Sequence, residues 1–389
     1  MRNIFVLLAL TLAIHNPAQA ASPDAPNVAE TRTEWVVQPA EGMDALLLIG
    51  AIGGDVLQAP IFSETIGFLR ENLSAEGLAA IDEIDFQMRQ TRGQLTGPTL
   101  ALIFSAGPVA TLDDVIASTL DPDGRLRPGL EQSPNWDEDR YASIVAAMPT
   151  IHTALTALRD VGYERWYAAT NRPPIAAGIE RIAADVSLYD IIPEQARLLG
   201  RELDPRIEIL VVRFNQPYGI RILGQRFIAF YEWEADTQLR VAAHEIFHPP
   251  FDLDDDSLWA LMSDLEADPW MVSIVEDHDP AFGYNSFQGV INEGATQALD
   301  QIVSDRLGFG RDPGRRWQHA DGGMHLFAAA LYHALIEDGF DDSGGVFEDW
   351  FRSALERGVL SPSEVQRRAA EIVGQDAVNR WGPDRENAE

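Results

Sequence analysis

The 389-residue chain contains no cysteine. That excludes disulfides, a lipid-anchored N-terminal cysteine and thiolate metal ligands, so any bound metal must rest on His, Glu or Asp. Lysine is absent as well, and all 29 basic residues are arginine; a genomic bias or a high-salt habitat explains this better than the needs of one site. Positive charge is scarce against 61 acids, and a formal net charge of −32 argues against nucleic acid or an anionic membrane as partner. Long apolar runs are also missing. Residues 4–14 and 45–54 are too short to span a bilayer, so no stable membrane anchor is expected.

Residues 1–20 carry Arg2, an apolar core and Ala18-Gln19-Ala20, the pattern of a secretory signal cut after Ala20. The expected product is periplasmic or secreted. Residues 21–41, with Pro23, Pro26 and Pro39, read as a flexible lead-in, and the fold is expected to start near Gly42. From 42 to 200 apolar residues recur three or four apart, which predicts helices over 43–58, 60–73, 76–92, 97–105, 111–120, 141–161 and about 174–184. The proline- and glycine-rich stretch 121–139 reads as a surface loop. His152, among apolar neighbours, reads as a half-buried, satisfied histidine.

At Arg206 the character changes. Residues 207–214, 218–223 and 226–233 are β-branched and aromatic runs that predict three strands, the last two forming a hairpin across Gly224-Gln225. The expected fold class is therefore α+β, predominantly α-helical, with a small antiparallel sheet ahead of the next helix. Its edge could hold an extended peptide. Ser361-Pro362-Ser363-Glu364 predicts a helix over 362–373, and residues 376–389 read as a polar tail.

That next helix carries His244-Glu245-Ile246-Phe247-His248. Residues four apart stack on one helix face, so His244 and His248 present two imidazoles to one point with the Glu245 carboxylate beside them. Two neutral imidazoles and a third protein ligand suit a zinc ion with one open position, and Glu245 can take a proton from a water as it attacks a carbonyl. Asp236 is the expected N-cap, and Pro249 is expected to end the helix at His248.

Two acids compete for third ligand. Glu293 lies in Asn292-Glu293-Gly294, near the start of a predicted helix on which Glu293, Gln297 and Asp300 share a face. Asp254 follows His248 by six residues, as in a metzincin-like pattern, but Phe251 stands where that pattern wants glycine. Glu293 is favoured. His244-Glu245-x-x-His248 followed by Asn292-Glu293-Gly294 resembles the gluzincin metallopeptidases, thermolysin-like and aminopeptidase N-like, over perhaps residues 206–305. The resemblance implies zinc on His244, His248 and Glu293, Glu245 as general base, and a catalytic region over 201–375 acting on a peptide or protein substrate. It departs from the best-known members in the 44 residues between His248 and Glu293, where short helices are expected around 258–265 and 270–275.

Asp300 or Gln297 is expected to hold a ligand imidazole by its second nitrogen. Tyr284, His319, His325, Tyr332 and His333 are candidate donors to a developing oxyanion. The chain thus reads as an exported zinc metallopeptidase; the alternative is a non-catalytic exported protein with a structural or relic zinc site.

Overall fold

The computed structural model describes residues 33–91, 94–133, 136–216 and 219–382; the signal, the start of the lead-in and the end of the tail fall outside them. Four strands form one sheet: β1 (Glu34–Pro39), β2 (Arg206–Val212), β3 (Ile220–Ile222) and β4 (Arg226–Phe230), in the order β1-β2-β4-β3. The fold is α+β and predominantly helical, as expected.

The sheet is mixed where an antiparallel one was expected. β1 and β4 both run parallel to β2, and only β3 is antiparallel, paired to β4 through the Gly224 turn, where φ is +78°. The reason is burial. Ile209-Leu210-Val211-Val212 and Phe227-Ile228-Ala229-Phe230 are apolar on both faces, so β2 and β4 must take the central places. β3 is left at the edge. β1 corrects the lead-in: Trp35, Val36 and Val37 pair with Ile207, Glu208 and Ile209, so ordered backbone begins ahead of Gly42.

Nearly every expected helix is present, with shifted ends. α1 (Glu41–Gly53) follows β1 directly, and the 23-residue α2 (Glu138–Asp160) packs across Ala75–Asp85 and Leu112–Leu120. α2 is long and apolar enough to cross a membrane by length and composition, but in this fold its apolar face lies against those two helices. The stretch read as a loop before it holds two short helical turns, Pro122–Arg125 and Arg127–Leu130. His152 is half-buried and satisfied, its Nδ1 2.8 Å from Thr119 Oγ1. α3 (Arg172–Val186) lies on β1 and on α4 (Ala235–Glu245), the motif helix. Past residue 374, Gln375–Asn379 is helical and Trp381 is buried, its indole N–H donating to Gly323 O at 3.1 Å. The main hydrophobic core runs from Ala40 to Trp381 and includes both faces of the sheet.

A candidate metal centre

α4 is anchored through Leu239, Ala242 and Ala243, all fully buried, and by Gln195, whose amide donates to Ala243 O at 2.9 Å. Both of its expected ends move. Glu234 occupies the N-cap position, and Asp236 sits inside the first turn, where a carboxylate suits the helix dipole. The helix ends at Glu245, with Ile246 as its C-cap. Phe247 N–H bonds back to His244 O at 3.1 Å, tightening the last turn, so His248 follows the helix in place of closing it. The side chain of Arg221, on β3, donates to His248 O.

α5 (Phe287–Leu307) supplies the other half. Ser286 caps it by accepting from Gly289 N–H, and the helix is buried continuously from Val290 to Ser304. Such burial around an ionisable residue demands compensation. Glu293, 4 % exposed, finds it in the histidines: its Oε1 is 3.5 Å from His244 Nε2 and its Oε2 3.4 Å from His248 Nε2, and the two Nε2 atoms are 3.0 Å apart.

These separations can be compared with what a metal requires. Ligand bonds of 2.0–2.2 Å in a tetrahedron put neighbouring donor atoms about 3.3–3.5 Å apart. Each imidazole nitrogen and the Glu293 oxygen facing it lie close to that spacing, and both Nδ1 atoms are engaged elsewhere, His244 with Asp300 Oδ2 at 2.8 Å and His248 with Thr296 Oγ1 at 3.2 Å. Each imidazole therefore turns its Nε2 toward the shared point. His244, His248 and Glu293 form a buried group that can hold a metal ion.

Electrostatics follow the same geometry. Burial opposes charge on His244, but Glu293 and Asp300 outweigh it and lift its pKa to about 9. Burial, with His244 beside it, pushes His248 down. Burial alone would raise Glu293; the two imidazoles hold it well below the usual carboxylate range instead. Asp300 is lowered in the same way, against its burial, by Arg316 and His244.

The other expected residues divide. Asp300 holds His244, whereas the Gln297 amide donates to Glu293 Oε1 at 2.9 Å. Glu245, half-buried at the end of α4, is close enough for its charge to bear on His244, His248, Tyr284 and Arg221. Tyr284 adopts a φ of +55° ahead of α5, and burial, with the Glu293 charge near it, pushes its hydroxyl pKa well up. Its ring meets that of His325 edge-on at 5.5 Å, and His325 is tied to Asp321. Tyr332 bonds Asp305, His333 pairs with Glu371, and His319 is exposed; none of the three belongs to the group. Asp254 is also outside it, exposed in a loop turn with its N–H on Asp252.

Three contributors had not been foreseen: Thr296, Arg316 and Trp317. Thr296 could have been read from its position one turn past Asn292 on the same helix; the other two act through intermediates and leave no periodic trace. No family model, curated protein or solved structure matches the chain.

Proposed function

We propose that the chain is a zinc metallopeptidase of gluzincin type that hydrolyses peptide bonds. The observation that supports this most directly is the convergence of His244 Nε2, His248 Nε2 and the Glu293 carboxylate, one oxygen of which faces each imidazole, with the Glu245 charge bearing on both histidines. Two imidazoles and a carboxylate, with the charge of a second carboxylate bearing on both histidines, suit zinc. When bound, zinc supplies a Lewis acid that polarises both water and the scissile carbonyl.

The protein groups then have separate tasks. Glu245 accepts the proton of the attacking water and returns it to the leaving nitrogen, which needs a carboxylate reachable from solvent. Tyr284 carries its hydroxyl to the same centre and donates to the oxygen that gains charge. His244, with its side chain 20 % exposed beside ligands of 6 % and 5 %, marks the side from which substrate enters.

The deciding experiment pairs metal content with cleavage of a fluorogenic peptide library. Glu245→Gln is expected to retain zinc and lose turnover, and His248→Ala to lose both. Undiminished cleavage by Glu245→Gln would sink the mechanism. A zinc-loaded parent that cleaves nothing, with a fourth protein ligand closing the site, would favour a structural zinc site.

A further inference from the structure

Two adjacent residues of α6 (Pro313–His319) reach two different members of the three-residue group, each through one intermediate on α5. Arg316 grips Asp300 with both terminal nitrogens, NH2 lying 2.9 Å from Oδ2, and also donates to Gln301 Oε1 at 2.9 Å. Asp300 in turn meets His244 Nδ1. Trp317, fully buried, donates its indole N–H to Gln297 Oε1 at 2.8 Å, and Gln297 Nε2 donates to Glu293.

Hydrogen-bond polarity makes both relays directional. An indole N–H can only donate, so it fixes the Gln297 carbonyl toward itself and leaves the amide N–H facing Glu293. A guanidinium can only donate too. It therefore holds Asp300 as an acceptor, which keeps a proton on His244 Nδ1 and leaves Nε2 as the nitrogen facing Glu293 and His248. The intermediates are shielded from competing water: Asp300 is 3 % exposed, Gln297 6 % and Gln301 1 %. Arg316 lies over the Trp317 ring, and that ring packs on Tyr332, so the two donors are held by each other and by the next helix.

We infer that α6 is the outer support of the metal centre, with Arg316 and Trp317 as positioning residues that set the donor direction of His244 and Glu293. This rests on the metal site proposed above and extends it to a helix that contributes no ligand.

The test uses the full mature chain and two readouts, zinc affinity by competition with a chromophoric chelator and the visible absorption of the cobalt-loaded protein. Trp317→Phe keeps the ring bulk and removes only the N–H. Gln297→Met cuts the same relay without touching α6. Arg316→Met removes the fork, and Arg316→Lys keeps charge alone. Trp317→Phe, Gln297→Met and Arg316→Met are each expected to weaken zinc binding about tenfold or more and to alter the cobalt bands, with Arg316→Lys recovering part of the loss. A purely structural role would lower thermal stability while leaving the bands unmoved. Zinc affinities within twofold of the parent and an unchanged cobalt spectrum would overturn the inference while the metal site stands. A parent that takes up neither metal overturns both.

Discussion

Asp300 Oδ2 lies 2.8 Å from His244 Nδ1, on the edge of the imidazole opposite Glu293. This contact fixes the ring's orientation and raises the basicity of its other nitrogen. Asp300→Asn keeps the volume and removes the charge, and it is expected to weaken zinc binding by about tenfold to a hundredfold. Equilibrium dialysis against a zinc buffer measures the loss directly.

Glu293 and Asp254 are separated equally plainly. Glu293→Ala is expected to abolish stoichiometric zinc binding, since it removes one of three donors and leaves two imidazoles 3.0 Å apart with no carboxylate between them. Asp254→Ala, in an exposed turn, is expected to leave zinc content and melting temperature unchanged. Metal analysis of the two variants beside the parent checks both.

Gly294 has a packing role that bears on the centre. A Cβ there would stand 2.8 Å from Phe327 Cδ1 and 3.3 Å from Ala328 N, both in α7 (Leu326–Glu337), which packs along α5. Gly294→Ala is expected to cost about 1–3 kcal/mol in urea unfolding through overpacking. Because the helix must shift at the residue beside Glu293, zinc affinity is expected to fall as well.

Asp44 predicts a pH effect remote from the metal. It is fully buried at the start of α1 and accepts from the N–H groups of Arg213, at 3.0 Å, and Phe214, at 2.7 Å, where the chain leaves β2. Burial lifts its pKa from 3.8 to about 7 against those bonds. A carboxyl raised on folding holds a proton that the unfolded chain has released, so its contribution is complete below about pH 4 and is lost as pH rises through 7. Between pH 5 and 8 the parent is therefore expected to lose stability relative to Asp44→Asn, by up to about 3 kcal/mol. Urea unfolding of both proteins at the two pH values gives the comparison.

The sequence was legible wherever local spacing carried the information. Histidines four apart, a glutamate at the head of a second helix and Asp300 two turns beyond it need only helical periodicity to be found. The mixed sheet was not legible in the same way: the strands themselves are visible, but which of them takes the centre depends on burial from both sides, and the continuous apolar run of β4 carried that signal only weakly. β1 was hidden by its short, proline-flanked stretch and by a partner distant in the chain. Arg316 and Trp317 were hidden for a different reason, since neighbours on a helix point about 100° apart and no face pattern links them.

The pairing of Glu34–Pro39 with Arg206–Val211 joins segments about 170 residues apart. Closing so long a loop brings no reward until most of the chain is made, so the sheet cannot complete until the intervening helices have collapsed. A chain begun after Pro39 would present β2 with an unpaired row of amides and carbonyls, apolar on both faces, which is a template for aggregation. The segment with the plainest sequence thus decides whether the helix bearing His244, and His248 just beyond its end, is ever presented on a finished sheet.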